Sequence, residues 1–146
     1  MQTQTFVLLA HQPSKETVEF IQSIEPGAVF YQYQFHASRQ TGISKSVIGL
    51  IMEIERDLML QTAKRILISP PGLSNASFLM IPAIEGICGV RPELLNLIRQ
   101  PDGTYVPAPE MPIVSAKELY NYLRKQRSRG IINFSAREEA KEVAPT

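Results

Sequence analysis

Two short stretches of this sequence combine residue types that can do chemistry: Ala10-His11-Gln12-Pro13-Ser14-Lys15 and Ser69-Pro70-Pro71-Gly72-Leu73-Ser74-Asn75. In the second, two prolines fix φ and offer no N–H, so the chain is stiff as far as Gly72. Glycine there permits a positive φ and close approach of a ligand to the backbone. The amides that follow would point out of a helix N-terminus, which favours phosphate or ribose oxygens. The same residues read equally as a stiff connection closed by a capping Ser74 or Asn75.

In the first stretch, His11 can donate to a phosphate or act as an acid or base, or it can simply bond to loop backbone. Ser14 suits a helix cap, and Lys15 then falls in a first helical turn, against the helix dipole, which hints at an anion nearby. Arg91 can fold over the same edge or remain a surface cation. His36 and Arg39 extend another polar loop and carry the same two readings. The candidate ligand-binding set is His11, Ser14, Lys15, His36, Ser69, Pro70, Pro71, Gly72, Leu73, Ser74, Asn75 and Arg91. No residue is assigned as catalytic; the candidates for that role are His11, Lys15 and Arg91.

Other chemistries lack their signatures. The motif has neither the Gly-x-Gly-x-x-Gly of a dinucleotide site nor the Gly-Lys-Ser/Thr of a P-loop, so a dehydrogenase or mononucleotide kinase is unsupported. No His/Asp/Glu cluster has metal-ligand spacing, no nucleophile–base pair is visible, and no cofactor is expected. The lone cysteine, Cys88, lies in an apolar stretch, reads as a small buried hydrophobe and rules out an intrachain disulfide.

The elements that must position these loops alternate in type. Residues 5–10 form a short apolar run of the kind a buried parallel strand takes. Residues 14–24 read as a helix ended by Pro26-Gly27, and 28–35 as a strand with Val29, Tyr31, Tyr33 and Phe35 on one side. The longest helix is expected over 43–64, with a stripe of Ile43, Val47, Leu50, Ile51, Ile54 and Leu58. Ile48, Met52, Met59 and Leu60 widen that stripe, which fits either a partner subunit or deep packing.

Residues 65–69 read as a third strand, followed by a helix to Cys88 that Pro82 should kink and Gly89 should close. A fourth strand is expected over 93–99. A turn at Pro101-Asp102-Gly103 and a proline-rich excursion over 104–112 follow. Ile113-Val114 is expected as a last short strand. A final helix begins after Ser115, with Leu119, Tyr122 and Leu123 inward and Arg124, Lys125, Arg127 and Arg129 late, where cations suit a helix C-terminus. Together these predict an α/β domain with a single doubly wound, mostly parallel sheet of about five strands.

The chain has 146 residues, 44% of them apolar, and a net charge of +1. One core suits this length, and the domain is expected over 1–135 with a charged, frayed tail over 136–146. A charge this small gives no whole-chain attraction for duplex DNA or an anionic membrane. No basic-then-apolar leader is visible, so the expected location is cytoplasmic.

The stretch Ile66-Leu67-Ile68-Ser69-Pro70-Pro71-Gly72-Leu73-Ser74, the following helix ending in Gly86-x-x-Gly89, then Arg91-Pro92, Leu97-Ile98-Arg99 and a proline-containing hairpin resemble small accessory proteins of type III CRISPR systems. The resemblance covers about half the chain; the sequence departs from the family pattern at Pro82 and in an elongated hairpin over 105–112. It implies a Rossmann-like domain of the CARF type that binds a cyclic oligoadenylate, a ring of about four adenylates, across the strand ends of a homodimer or higher oligomer. Because no dedicated acid/base pair is visible, the expected role is attenuation of signalling by sequestering that messenger rather than turning it over. Alternatives are a metal-independent ring nuclease, with His11, Lys15 or Arg91 stabilising charge at the phosphodiester, and an oligomeric structural subunit without a small ligand.

Overall fold

The computed structural model of the chain describes residues 4–37 and 40–130. Its elements run β1 (Gln4–Leu9), α1 (Lys15–Ile24), β2 (Val29–Gln32), α2 (Gly42–Leu58), β3 (Ala63–Ser69), α3 (Ser74–Cys88), β4 (Glu93–Leu95), β5 (Leu97–Arg99), β6 (Tyr105–Pro107), β7 (Ile113–Val114) and α4 (Ala116–Ser128). Strands β2-β1-β3-β4-β7 make one sheet, parallel through β4 with β7 antiparallel at its edge, while β5 and β6 form a separate hairpin. The expected class holds: this is an α/β fold on a five-stranded, mostly parallel sheet.

Why β1 reads as an unbroken apolar run follows from its place in the middle. Phe6 and Leu8 point into a cluster with Val47, Ile51 and Ile54 of α2 and Met80 and Ile84 of α3. Val7 and Leu9 point the other way, to Ile21 of α1 and Leu67. Both faces of a parallel strand are therefore dry, and each fully buried aliphatic side chain contributes roughly 1.5–3 kcal/mol. The two faces also carry different helices. β1 feeds α1 on one face and its neighbour β3 feeds α3 on the other, so the loops leaving these adjacent strands part in opposite directions. That is a topological switch point, the usual place for a ligand in an open α/β sheet.

Several boundaries depart from expectation, each for a local reason. The second strand stops at Gln32 instead of 35, although the alternation persists, with Tyr31, Tyr33 and Phe35 all packed on the α2–α3 side. The long helix stops at Leu58 rather than 64, because Met59 turns left-handed (φ 55°) and starts a single 3-10 turn that drops Leu60 into the core. Ile48, Met52 and Met59 remain exposed on it. The expected strand over 93–99 divides at Asn96, whose N–H donates to the Pro112 carbonyl (2.8 Å) and whose own carbonyl accepts from Ala108 (2.9 Å), so the chain leaves the sheet there. α3 continues through Pro82 to a left-handed Gly89 cap.

Residues to Val114 form one compact unit, and a second begins at Ser115. In the second, the Ser115 hydroxyl accepts from the Glu118 N–H at 3.3 Å to cap α4. Leu119, Tyr122 and Leu123, expected inward, are exposed. Arg39, the expected boundary at 135 and the charged tail 136–146 lie outside the described residues. Among the described residues no helix is long and apolar enough to cross a membrane.

At the amino end of the sheet, Arg65 of β3 donates to both carboxylate oxygens of Glu93 on β4 and, at 3.2 Å, to Glu25 at the end of α1. Charge-assisted bonds of this type contribute roughly 1.5–3 kcal/mol when partly shielded, so Arg65→Ala should lower unfolding free energy by about that amount in a urea titration. The Cys88 thiol is pushed up to about 12, first by burial and then by the Glu55 carboxylate. Because the folded state favours the protonated thiol, its contribution is complete below the ordinary value near 9 and lost as pH climbs from there towards 12. Native protein should accordingly resist thiol reagents at pH 8, and Cys88→Ala should flatten the alkaline fall in stability.

Candidate functional site

The carboxyl ends of β1 and β3 lie side by side, Leu9 in register with Ser69. One residue fastens both. The Tyr33 N–H donates to the Leu9 carbonyl (2.9 Å), and its phenol donates to the Ser69 carbonyl (2.7 Å). Tyr33 is buried, and that burial pushes its phenol well above the usual tyrosine range. These two bonds take up the last carbonyls of both strands, which would otherwise be unpaired where the sheet ends. The loop starts at Ala10 and Pro70 are thereby placed next to each other.

Among the described residues, three hollows at this edge border His11. One of about 270 Å³ runs between Ser69, Pro70, Gly72 and the stretch Leu94–Leu97. A second, about 350 Å³, is walled by Tyr33, Phe35, Pro71 and Leu73. The third, about 430 Å³, lies against Gln12, Pro13, Ser14 and the hairpin turn at Gly103 and Thr104. Between the first and third, the imidazole of His11 lies parallel to the Tyr105 ring with centroids 4.9 Å apart, an offset stack. Tyr105 is held from below: its carbonyl accepts from the buried Thr17 hydroxyl (3.1 Å), which also meets the Ser14 hydroxyl (3.0 Å). The hairpin is thus tied to the first turn of α1.

The structure sorts the candidate residues plainly. His11, Ser14, Ser69, Pro70, Pro71, Gly72 and Leu73 come together around the hollows. Ser14 is also engaged as the α1 cap, accepting from the Thr17 N–H at 3.1 Å. Lys15 is exposed and paired with Glu19 at 3.8 Å, away from the hollows' linings. Arg91 forms a two-bond pair with Glu85 (2.9 and 3.0 Å), which holds the Glu85 carboxyl below the usual carboxylate range. His36, Ser74 and Asn75 are exposed and line none of the three hollows.

Two expectations about the motif are corrected. Neither Ser74 nor Asn75 caps α3: Leu73 occupies the cap position without a side-chain bond, and the Ser77 hydroxyl instead turns back to the carbonyls of Pro71 and Leu73. Gly72 does not take a left-handed φ, and a Cβ built on it meets nothing within 4 Å. Its value is open space beside two hollows rather than an unusual backbone angle.

Tyr33, Asn96 and Tyr105 belong to the site and were not among the candidates. Tyr33 reads in sequence as one more inward strand residue, and Asn96 and Tyr105 arrive from a hairpin whose fold-back no local pattern fixes. Among the described residues, no group of three or more His, Cys, Asp or Glu side chains is gathered as a metal site would need. The fold and site together define an α/β protein with a cleft at the switch point of a mostly parallel sheet. No family model matches the chain, and neither the curated proteins nor the solved structures contain a match to it.

Removing the Tyr33 hydroxyl leaves the Ser69 carbonyl unpaired and should cost about 1–3 kcal/mol. Tyr33→Phe should therefore unfold earlier in denaturant. The raised phenol contributes stability below about pH 10 that is lost as pH rises through its folded value, so the variant should also show a shallower alkaline decline.

Proposed function

We propose that this chain binds a cyclic oligoadenylate, a ring of four adenylates being favoured, and attenuates type III CRISPR signalling by holding the messenger. The observation that carries the reading is the convergence of three hollows on His11 at the sheet's switch point, with the Pro70-Pro71-Gly72-Leu73 loop on one side. Adjoining hollows suit a ligand with repeated units. The His11–Tyr105 stack offers an aromatic surface on which a base can lie, and the first amides of α3 follow directly after Leu73, where a phosphate would be favoured. The identity of the ligand rests on the resemblance carried by residues 66–74.

A ring of repeated phosphates fits a two-fold assembly, each subunit offering the same loops, and the exposed Ile48 and Met52 of α2, with Met59 just past its end, supply an apolar surface for such a pairing. The central place of His11 favours one second reading, a ring nuclease that aligns a ribose hydroxyl with its phosphodiester while the imidazole moves a proton or steadies charge.

Thermal unfolding with cyclic tetra-adenylate tests the binding. At about 100 times its dissociation constant a tight ligand adds ~2.7 kcal/mol, so a clear rise in melting temperature is expected; no shift with any cyclic or linear oligoadenylate would leave a structural subunit as the better account. Incubation in EDTA then separates sink from enzyme, since intact ring recovered after denaturation supports sequestration and linear products over many turnovers exclude it. Gly72→Val should fold normally, because its Cβ enters open space, yet weaken binding more than Lys15→Ala or Arg91→Ala. Unaltered affinity in Gly72→Val would place the ligand elsewhere.

A further inference from the structure

We infer that the hollow between β3 and β4 is a base-reading subsite in which Asn96 selects an aminopurine and Tyr105 supplies the stacking wall. The inference rests on the nucleotide reading above and names the part of the ligand this hollow takes.

Its size and lining set the class of guest. About 270 Å³ is room for one flat ring system rather than a whole nucleotide chain, and the walls alternate apolar Leu94, Leu95 and Leu97 with a few polar atoms. Apolar walls with a small number of placed polar groups are what fix the orientation of a heterocycle. Ser69 and Asn96 are the polar residues that border the hollow from these two strand ends. Register carries Ile68 opposite Leu94, so Ser69 and Asn96 end neighbouring strands within two residues of that pair.

Asn96 is unusually well fixed for a residue between strands. Its N–H donates to Pro112 and its carbonyl accepts from Ala108. Its side-chain Nδ2 donates to the Met111 carbonyl at 3.3 Å. Because that partner is a carbonyl, only the amide nitrogen can face it, which settles the orientation of the side chain. Oδ1 remains as an acceptor with no partner among the described residues. An acceptor left without a partner, on a residue that borders the hollow, calls for a donor on the guest. The 6-amino group of adenine is one; the 6-oxo group of hypoxanthine is an acceptor and would leave two acceptors opposed.

Tyr105 completes the subsite. Its ring is already parallel to His11, and its backbone is tied to Thr17 and paired to Arg99, so the aromatic plane is held before a guest arrives. Stacking on a plane held in advance costs less ordering on binding.

The experiment is a ligand-and-protein cycle read by calorimetry, with cyclic tetra-adenylate and cyclic tetra-inosinate as probes. The unaltered protein should prefer the adenylate ring by about tenfold, the scale of one hydrogen bond. Asn96→Leu should lose about tenfold in adenylate affinity and erase the preference. Tyr105→Ala should lose about tenfold or more in adenylate affinity. Equal affinity of the unaltered protein for both rings overturns the role of Asn96 without requiring any variant to fold, as does a preference that survives Asn96→Leu. Full affinity in a folded Tyr105→Ala overturns the stacking wall. Failure of the unaltered protein to bind either ring defeats the nucleotide reading itself, and the subsite with it.

Discussion

The arrangement of the cleft depends on the two bonds made by Tyr33. A parallel sheet ends in a row of carbonyls that must find donors, and at the switch point the chain turns away on both sides, so no third strand supplies them. Here a single buried tyrosine answers for both central strands, with its backbone on Leu9 and its phenol on Ser69. The loops beginning at Ala10 and Pro70 consequently leave from fixed points. The placing of His11 and of the Ser69–Leu73 loop follows from where those loops start.

The second fixed point is the hairpin. The chain departs from the sheet at Asn96, crosses the carboxyl edge as β5 and β6, and returns as β7 beside β4. Its turn is steadied by Asp102, whose carboxylate accepts from the Thr104 N–H (3.0 Å) and hydroxyl (2.6 Å) and is held below the usual carboxylate range by those bonds. Tyr105 is carried over His11 by this route. The cleft is therefore bounded on one side by the Ser69–Leu73 loop and on the other by a structure contributed from much later in the chain.

This division explains what the residues disclose on their own. The alternation of strands and helices, the five-stranded sheet and the loops at His11 and Ser69–Gly72 were legible, because apolar runs, helical stripes and proline–glycine punctuation are local signals. Where local signals ended, so did the reading. Nothing near Asn96 announces that Leu94 and Leu97 belong to different sheets, since the split is decided by partners at Ala108 and Pro112. Lys15 and Arg91 looked like anion ligands by position, but each has a carboxylate within reach, Glu19 at 3.8 Å and Glu85 at 2.9 Å. Gly72 suggested a left-handed turn and instead contributes empty space.

Amide hydrogen exchange with and without cyclic tetra-adenylate probes the central claim most directly, because it reports which backbone the guest covers. Slowed exchange at the non-proline residues of 10–14, 72–75 and 96–105, where the loops held by Tyr33 meet the hairpin, is the result this account predicts. Protection confined to the outer faces of α2 and α3, with those three stretches exchanging as in the free protein, would contradict it.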